Sequence, residues 1–349
     1  MEKHSNIYDG VNGLKVFGCF AIIIMHNLVN ANIRLNPIAN MVIRSWTNLV
    51  FLFFIVSAFG LCCGYYERFH SGKVNLEYFY RRRYGKIVPF FFFLLLIAFL
   101  IQHTKENIFE ELMESTLLFG FLPNNHLQTM GISWTLGVIF AFYLIFPFFT
   151  VVVSNKIRIW SALVISLIID GLCDVYFFTN KFVSGNFVAK YTFIYCFPFF
   201  IIGGLIYIYR DIIIEYVQKY WLISLFLVGL VIVSYFILPN SFAGISVFNI
   251  KQVLMNATLS ILAIGSSGKN FKGKVIKYFS GISMEMYLAQ MVVFDLLLRL
   301  GIDKWFGDSW LSLITLTIIE ILSLVIFIEG YKRCFEKILL FLRSFKYRY

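Results

Sequence analysis

The first apolar segment of the chain, residues 14–29, contains a lysine and a histidine, Lys15 and His26, and its one other ionisable side chain is the weakly acidic thiol of Cys19. In an α-helix, the eleven-residue spacing places Lys15 and His26 on one face, about 16 Å apart along the axis. Ionisable groups at membrane depth are costly and usually face a protein interior or a wet cavity, where they serve function. We therefore interpret this cation and this imidazole as parts of one site.

The composition of the chain is that of a membrane protein. Hydrophobic residues make up 60% of the 349 residues and charged residues 14%, whereas an ordinary soluble domain is about 25% charged. Apolar runs of about 20 residues predict ten transmembrane helices, and no polar stretch is long enough to form a second core. The sequence thus predicts an all-α, polytopic bundle forming a single domain over residues 1–349. The predicted spans are 13–30, 42–65, 87–102, 133–153, 158–178, 191–209, 220–238, 246–267, 279–298 and 309–329.

The distribution of charge predicts the orientation of these spans. With the amino terminus in the cytoplasm, 21 of the 30 Lys and Arg residues fall on the cytoplasmic side and eight on the other, with Lys15 inside the first span. This bias fits the positive-inside rule and places both termini in the cytoplasm. Because membrane placement explains the net charge of +11, we expect no nucleic-acid partner. The six cysteines lie in or beside apolar runs, so we expect no metal site.

A dense group of cations precedes the third predicted span, where residues 78–89 read YFYRRRYGKIVP. Arg82, Arg83 and Lys86 could bind the phosphates of a ligand, because guanidinium groups pair bidentately with phosphate and lysine adds a point charge. The same charges could instead anchor the span on the cytoplasmic side. Pro89 is expected in the first turn of that span, where its missing N–H is harmless.

Together, these residues resemble the acyltransferase type 3 membrane family, whose members O-acylate cell-surface polysaccharides, peptidoglycan and related glycans. The first span of that family has Arg or Lys, ten residues, and then His, as Lys15 and His26 do here. The family's basic segment before the third span is similar to Arg83 and Lys86 followed by Pro89. Three later phrases also resemble the family's, in the same order along the chain: Phe53-Phe54-Ile55-Val56-Ser57-Ala58-Phe59, Trp134-Thr135-Leu136 with Tyr143 and Pro147, and Ser283 followed by Tyr287-Leu288.

The resemblance implies transfer of an acyl group, most often acetyl, from cytoplasmic acyl-CoA to a hydroxyl of a glycan or lipid-linked glycan at the bacterial cytoplasmic membrane. His26 would act as general base or be acylated itself. Lys15, the second catalytic residue, would neutralise a phosphate at the mouth of the channel or orient the arm of the donor, but a lysine at this position could instead extend its charge to the membrane interface. Arg82, Arg83 and Lys86 would bind the phosphates of acetyl-CoA. The substrate channel would be formed by Ser57, Trp134, Tyr143, Tyr287 and Gln290, although Trp134 and Tyr143 are equally typical of an aromatic belt.

The chain departs from the family pattern at three positions: Asn12 stands where an acidic residue is usual, Ile139 where many relatives have Glu, and Gln290 where His often follows. Other ionisable side chains in or near the predicted spans could line the same cavity or make helix-packing contacts; they are Asp170, Asp174, Glu285, Asp295 and Glu320. His103 and His126, in or beside an outer loop, are interpreted as solvated.

Two other functions are compatible with the pattern. Ten spans with polar residues at depth would also suit a transporter or flippase for a lipid-linked sugar, which would release no free CoA. A membrane sensor would bind an anionic ligand through Arg83 and Lys86 without using His26.

Overall fold

The computed structural model describes residues 8–101, 105–121, 131–183, 187–242, 245–268 and 273–346. His103 and His126 lie outside these residues. Within them the chain forms thirteen α-helices and a two-stranded antiparallel hairpin. The helices are α1 Asp9–Asn30, α2 Pro37–Ser45, α3 Val50–Leu61, α4 Glu67–His70, α5 Leu76–Ile101, α6 Lys105–Ser115, α7 Trp134–Val153, α8 Lys156–Tyr176, α9 Phe193–Lys219, α10 Trp221–Ile237, α11 Phe248–Gly265, α12 Lys274–Arg299 and α13 Trp310–Lys346; the strands are β1 Ser241–Phe242 and β2 Ile245–Ser246.

Among the described residues, eight helical segments are long and apolar enough to cross a membrane, which confirms the prediction of an all-α, polytopic membrane bundle. Each exceeds the roughly 17 residues that a span requires. They are Asp9–Asn30, Pro37–His70, Leu76–Ile101, Trp134–Val153, Lys156–Tyr176, Phe193–Lys219, Lys274–Arg299 and Trp310–Ile338.

Two of the ten predicted spans, 220–238 and 246–267, correspond to helices outside this set of eight. Helix α10 has 17 residues, the lower limit for a span. Helix α11 has 18 residues, but its first half contains four strongly polar side chains that lower its hydropathy: Asn249, Lys251, Gln252 and Asn256. The total of ten spans and the cytoplasmic position of both termini stay predictions.

The third predicted span differs most from the structure at its amino-terminal end. Hydropathy marks the span from residue 87, but α5 begins eleven residues earlier, at Leu76, because the polar residues before the apolar run are also good helix formers. Pro89 therefore lies inside α5, and the prediction that it occupies the first turn is wrong. A proline at an interior position removes a backbone hydrogen bond and favours a kink.

Polar caps fix the beginnings of three helices. The side chain of Asn155 accepts hydrogen bonds from the first free backbone N–H groups of α8, and Thr192 does the same for α9. Asn36 caps α2, whose first residue is Pro37. Each cap satisfies N–H groups that the helix itself leaves unpaired.

The chain forms two compact units. Unit 1 comprises Met1–Gly18 and Asn48–Lys277, and unit 2 comprises Cys19–Thr47 and Tyr278–Tyr349.

Helices α3 and α9 form the centre of unit 1. Gly203 of α9 lets the two backbones approach closely, because a β-carbon there would collide with the carbonyl oxygen of Ile55. Phenylalanine rings fill the contact: Phe51 stacks on Phe199 with centroids 4.3 Å apart, and Phe200 stacks on Phe142 of α7 at 3.9 Å. Such close helix packing by small residues is typical of membrane bundles.

Unit 2 is built from the second half of α1 together with α2, α12 and α13. Its apolar core includes Met286 of α12 and Leu316 and Leu324 of α13, all fully buried. Phe20 meets Phe279 edge to face with centroids 5.2 Å apart. An apolar groove of about 580 Å³ lies along α2 and the first turns of α13.

Candidate functional site

Three cations of unit 1 lie within electrostatic range of one another: Lys15 on α1, and Arg83 and Lys86 on α5. Both α5 charges act on the Lys15 ammonium group. Lys15 and Arg83 are half-buried and Lys86 is exposed. Within the described part of the chain, none of the three has a carboxylate at ion-pair distance. We call these residues the basic cluster, and its uncompensated positive charge favours the binding of an anion.

Arg83 is held in place by aromatic side chains. Its guanidinium carbon lies 4.7 Å from the ring centroid of Tyr65, close enough for a cation–π interaction. The Tyr143 side chain interacts through its hydroxyl with Arg83 and with Ser57. The Nε atom of Arg83 is buried without a partner among the described residues. Helices α3, α5 and α7 therefore bring a positioned guanidinium together with two hydroxyl groups.

Arg82 is exposed and makes different contacts from Arg83. Its Nη1 atom donates to the hydroxyl of Tyr78 over 2.9 Å, and its guanidinium carbon lies 6.0 Å from the Tyr78 ring centroid. These partners lie on the outside of α5, so the structure does not place Arg82 in the basic cluster.

Tyr65 and Arg68 are two contact residues that sequence reasoning missed. The guanidinium carbon of Arg68 lies 5.6 Å from the ring centroids of both Tyr65 and Tyr78, and Tyr65 is itself buried. Tyr65 belongs to a π-helical turn, Cys62–Tyr66. Turns of this kind often occur at functional sites. A π-helical turn changes the register of the side chains, and no residue pattern in this segment predicts it.

Trp134 is buried in unit 1, away from Tyr143. The two residues are nine positions apart on α7, which corresponds to about 13 Å along the axis. Trp134 stacks on Tyr191 with centroids 4.6 Å apart and meets Phe54 edge to face at 6.1 Å. Beside Tyr191, burial lowers the pKa of Lys190, since removal from water disfavours its charged form. This aromatic group is separate from the contacts of the basic cluster.

His26 lies in unit 2, on the second half of α1, and is half-buried. The side-chain amide nitrogen of Asn30, one turn further along, lies 3.4 Å from Nδ1 of His26 and 3.8 Å from the sulfur of Met291 on α12. A hydrogen bond at one ring nitrogen of a histidine selects the tautomer and thus the role of the other nitrogen. Asn30 is therefore placed to orient this imidazole.

Buried polar side chains surround this part of α1. The amide of Asn27 donates to the hydroxyl of Thr317 over 3.1 Å and also interacts with the carboxyl group of Glu320, which is almost completely buried. On α12, Gln290 donates to the carbonyl oxygen of Tyr287 over 2.9 Å, and both side chains are buried. Unit 2 thus has a polar interior in its membrane helices, and ionisable groups buried at membrane depth commonly mark a pathway or a site.

The other ionisable residues differ in their surroundings. Asp170 is buried and accepts a hydrogen bond from the Asn249 amide. Asp174 and Glu285 are half-buried, and Asp295 is exposed. Only the first of these has a buried polar neighbour of a different helix within hydrogen-bond distance among the described residues.

Of the predicted site residues, unit 1 brings together Lys15, Ser57, Arg83, Lys86 and Tyr143. Unit 2 contains His26, Tyr287 and Gln290. Helix α1 is continuous from Asp9 to Asn30, so Lys15 and His26 belong to one helix as the sequence analysis assumed. Their action in one site stays a prediction.

The comparisons with known proteins give one match. The family model of the Acyl_transf_3 acyltransferase domain matches residues 8–328, which is most of the chain and includes every residue discussed above as part of a site. Searches of the curated proteins and of the solved structures gave no match.

Proposed function

This chain belongs to the Acyl_transf_3 family of acyltransferases, and from that premise we propose that it transfers an acetyl group from acetyl-CoA to a hydroxyl of a cell-surface glycan. The eight apolar helices in the described part of the chain make it an integral membrane protein.

The basic cluster is the observation that carries the donor assignment. Coenzyme A presents a 3′-phosphate and a diphosphate, and Arg83 offers a planar guanidinium suited to pairing with two phosphate oxygens. Lys15 and Lys86 add two positive charges that no carboxylate among the described residues neutralises. An anion with several phosphate groups would relieve the repulsion among these cations, as a neutral ligand would not.

His26 is proposed as the general base. Neutral imidazole takes the proton of the acceptor hydroxyl while its oxygen attacks the thioester carbonyl. A C–O bond forms, the C–S bond breaks, and the proton passes to the departing thiolate, so that the products are the acetyl ester and CoA with a free thiol. Asn30, beside Nδ1, holds the ring. The variant in which His26 is acylated first and then passes the acetyl group on has the same overall balance.

The acceptor is proposed to be a glycan or a lipid-linked glycan precursor, and the location to be the bacterial cytoplasmic membrane. The resemblance of the residue phrases to those of polysaccharide and peptidoglycan O-acyltransferases supports both. The buried polar side chains near His26 supply hydrogen-bonding groups of the kind that sugar hydroxyls require.

The test compares His26→Ala with His70→Ala in liposomes that contain acetyl-CoA and the membrane glycan fraction. His70 is an exposed histidine on α4 and serves as the matched control. We expect His26→Ala to lower acetyl transfer by roughly 10²–10⁴-fold and His70→Ala to leave it unchanged, measured as O-acetyl content by NMR and as released CoA thiol. Equal transfer by the two variants would remove His26 from the mechanism, and wild-type protein that releases no CoA would favour a transporter instead.

A further inference from the structure

One face of α11 in unit 1 carries four buried polar side chains. Asn249, Gln252, Asn256 and Ser260 follow one another at spacings of three, four and four residues, which places them on a single face of the helix. Asn249 is 7% exposed and the other three are fully buried. The eleven residue steps from Asn249 to Ser260 span about 16 Å along the axis. We call these four residues the polar row.

Much of the hydrogen-bonding capacity of this row is unused by the protein. The Oδ1 atoms of Asn249 and Asn256, both amide atoms of Gln252 and the hydroxyl of Ser260 are buried without a partner among the described residues. Beside Asn249, the same is true of one carboxylate oxygen of Asp170. Buried polar atoms in native proteins are nearly all paired, and each one left unpaired costs free energy. Five such atoms on one face of α11, with a sixth on the neighbouring Asp170, therefore indicate a polar ligand.

The rest of α11 shows that this pattern belongs to one face. On the opposite side, Ile250 and Leu254 are exposed, and the hydroxyl of Thr258 is satisfied by the carbonyl oxygen of Leu254 over 2.6 Å. Lys251, the one charged residue of the helix, is bonded to Leu238 and Asn240. The polar row faces the interior of unit 1, where α11 packs on α3, α9 and α10. Neutral polar side chains inside a membrane bundle that serve helix packing hydrogen-bond across to a neighbouring helix, and the unpaired atoms of the row make no such bonds among the described residues.

The chemistry of the row defines its ligand. Four of the unpaired atoms are carbonyl or carboxylate oxygens, so the ligand must donate hydrogen bonds. Because none of the four row residues is a cation, the part of the ligand that they contact need not carry negative charge. Successive row positions are about 4.5 and 6 Å apart along the axis, which suits an extended chain rather than a sugar ring. The pantetheine arm of coenzyme A is such a chain: it is uncharged and carries a hydroxyl and two amide N–H groups about 5 Å apart.

We propose that the polar row of α11 binds the pantetheine arm of the acyl-CoA donor. This inference rests on the proposed function, because it takes acyl-CoA as the donor. It adds Gln252 and Asn256 as residues that recognise the amides of the arm, separately from the cations that recognise its phosphates.

The experiment compares two ligands, coenzyme A and adenosine 3′,5′-bisphosphate, which keeps the 3′-phosphate but lacks the arm. Purified protein in detergent or nanodiscs is titrated with each ligand by calorimetry, using wild type, Gln252→Leu, Asn256→Leu and the smaller change Ser260→Ala. Thr258→Val is the matched control, since it alters a side chain on the outer face of the same helix. Melting temperatures without ligand are recorded for every variant.

We expect Gln252→Leu and Asn256→Leu each to weaken the binding of coenzyme A about tenfold, the equivalent of one or two lost hydrogen bonds. The affinity for the bisphosphate should be unchanged. Because leucine removes unpaired buried polar atoms, the melting temperature without ligand should stay the same or rise. Ser260→Ala should also weaken the binding of coenzyme A, but by a smaller factor. Thr258→Val should change the affinity for neither ligand.

Each of the following outcomes would overturn the inference. Unchanged affinity for coenzyme A in the leucine variants would show that the arm lies elsewhere. Lower melting temperatures at unchanged affinity would make the row a structural network, and slower glycan acetylation at unchanged affinity would assign it to the acceptor. Equal affinity of the wild-type protein for the bisphosphate and for coenzyme A would also overturn the inference, while leaving the proposed reaction intact. Failure of the wild-type protein to bind coenzyme A at all would contradict both the inference and the proposed function.

Discussion

Arg82 and Arg83 are adjacent in the chain, but only Arg83 has the surroundings of a ligand-binding residue. Arg83 lies against Tyr65, interacts with Tyr143 and keeps a buried Nε atom unpaired. Arg82 is exposed and donates to Tyr78. A hydrogen bond from a buried charged donor contributes more to binding than one from an exposed, fully hydrated charge.

This contrast predicts unequal effects of the same substitution. Arg83→Gln is expected to weaken the binding of coenzyme A by roughly tenfold to a hundredfold, the range for a lost hydrogen bond to a charged group. Arg82→Gln is expected to weaken it less than about fivefold, as for the loss of an exposed charge. Calorimetric titration of the two purified variants measures both. Equal losses would mean that the two arginines contribute only general positive charge.

At the residue scale, spacing along one helix was readable from the sequence and contact between helices was not. The interval between Lys15 and His26 depends only on helical periodicity, and α1 is continuous through both. The choice between Arg82 and Arg83 depends on where Tyr65 and Tyr143 lie. Those aromatic residues come from other helices, so no local pattern could make that choice.

At the scale of elements, close helix contacts depend on single glycines. Gly203 of α9 has the Ile55 carbonyl oxygen and the Ala58 side chain where a β-carbon would stand, whereas Gly229 of α10 has no atom within 4 Å of that position. Both are interior helix positions. They therefore separate the steric cost of an added methyl group from its effect on helix propensity.

Gly203→Ala is expected to lower the free energy of unfolding by about 1–3 kcal/mol, because a backbone oxygen cannot move aside without shifting α3 against α9. Gly229→Ala is expected to be neutral or to raise it by up to about 1 kcal/mol, since alanine is the better helix former. Thermal unfolding of both variants in the same detergent gives the comparison. If the melting temperature of Gly203→Ala equals that of the wild-type protein, the α3–α9 contact is loose enough to accept a methyl group.

Hydropathy predicted the apolar part of most helices, but it did not predict the helical segments that are rich in polar residues. It began the third span at residue 87, although α5 starts at Leu76, and it did not predict α2 or α6 as separate helices. It included α11 as a span but gave no sign of the polar row, because an average over a window hides which face each residue occupies. Face-resolved burial requires the neighbouring helices.

At the scale of the whole molecule, the placement of α10 and α11 decides whether the chain crosses the membrane eight or ten times. The positions of the termini cannot distinguish these cases, because adding or removing a pair of spans leaves the carboxyl terminus on the same side. Charge does distinguish them. The connection between the two helices, residues 238–247, contains no Lys or Arg, whereas segments 210–219 and 266–278, which flank the pair, contain two and four. The positive-inside rule therefore favours ten spans.

Ser241, an exposed residue in the connection between α10 and α11, provides the test. In a background with Cys63→Ser, Ser241→Cys is expected to react with a membrane-impermeant maleimide in right-side-out vesicles, and the native Cys334, exposed on α13, only in inside-out vesicles. The reason is that two full crossings put residue 241 opposite the basic flanking segments. Cys334 acts as the internal marker of sidedness. If both cysteines react only in inside-out vesicles, α10 and α11 do not cross, the chain has eight spans, and the polar row cannot lie along a route through the membrane.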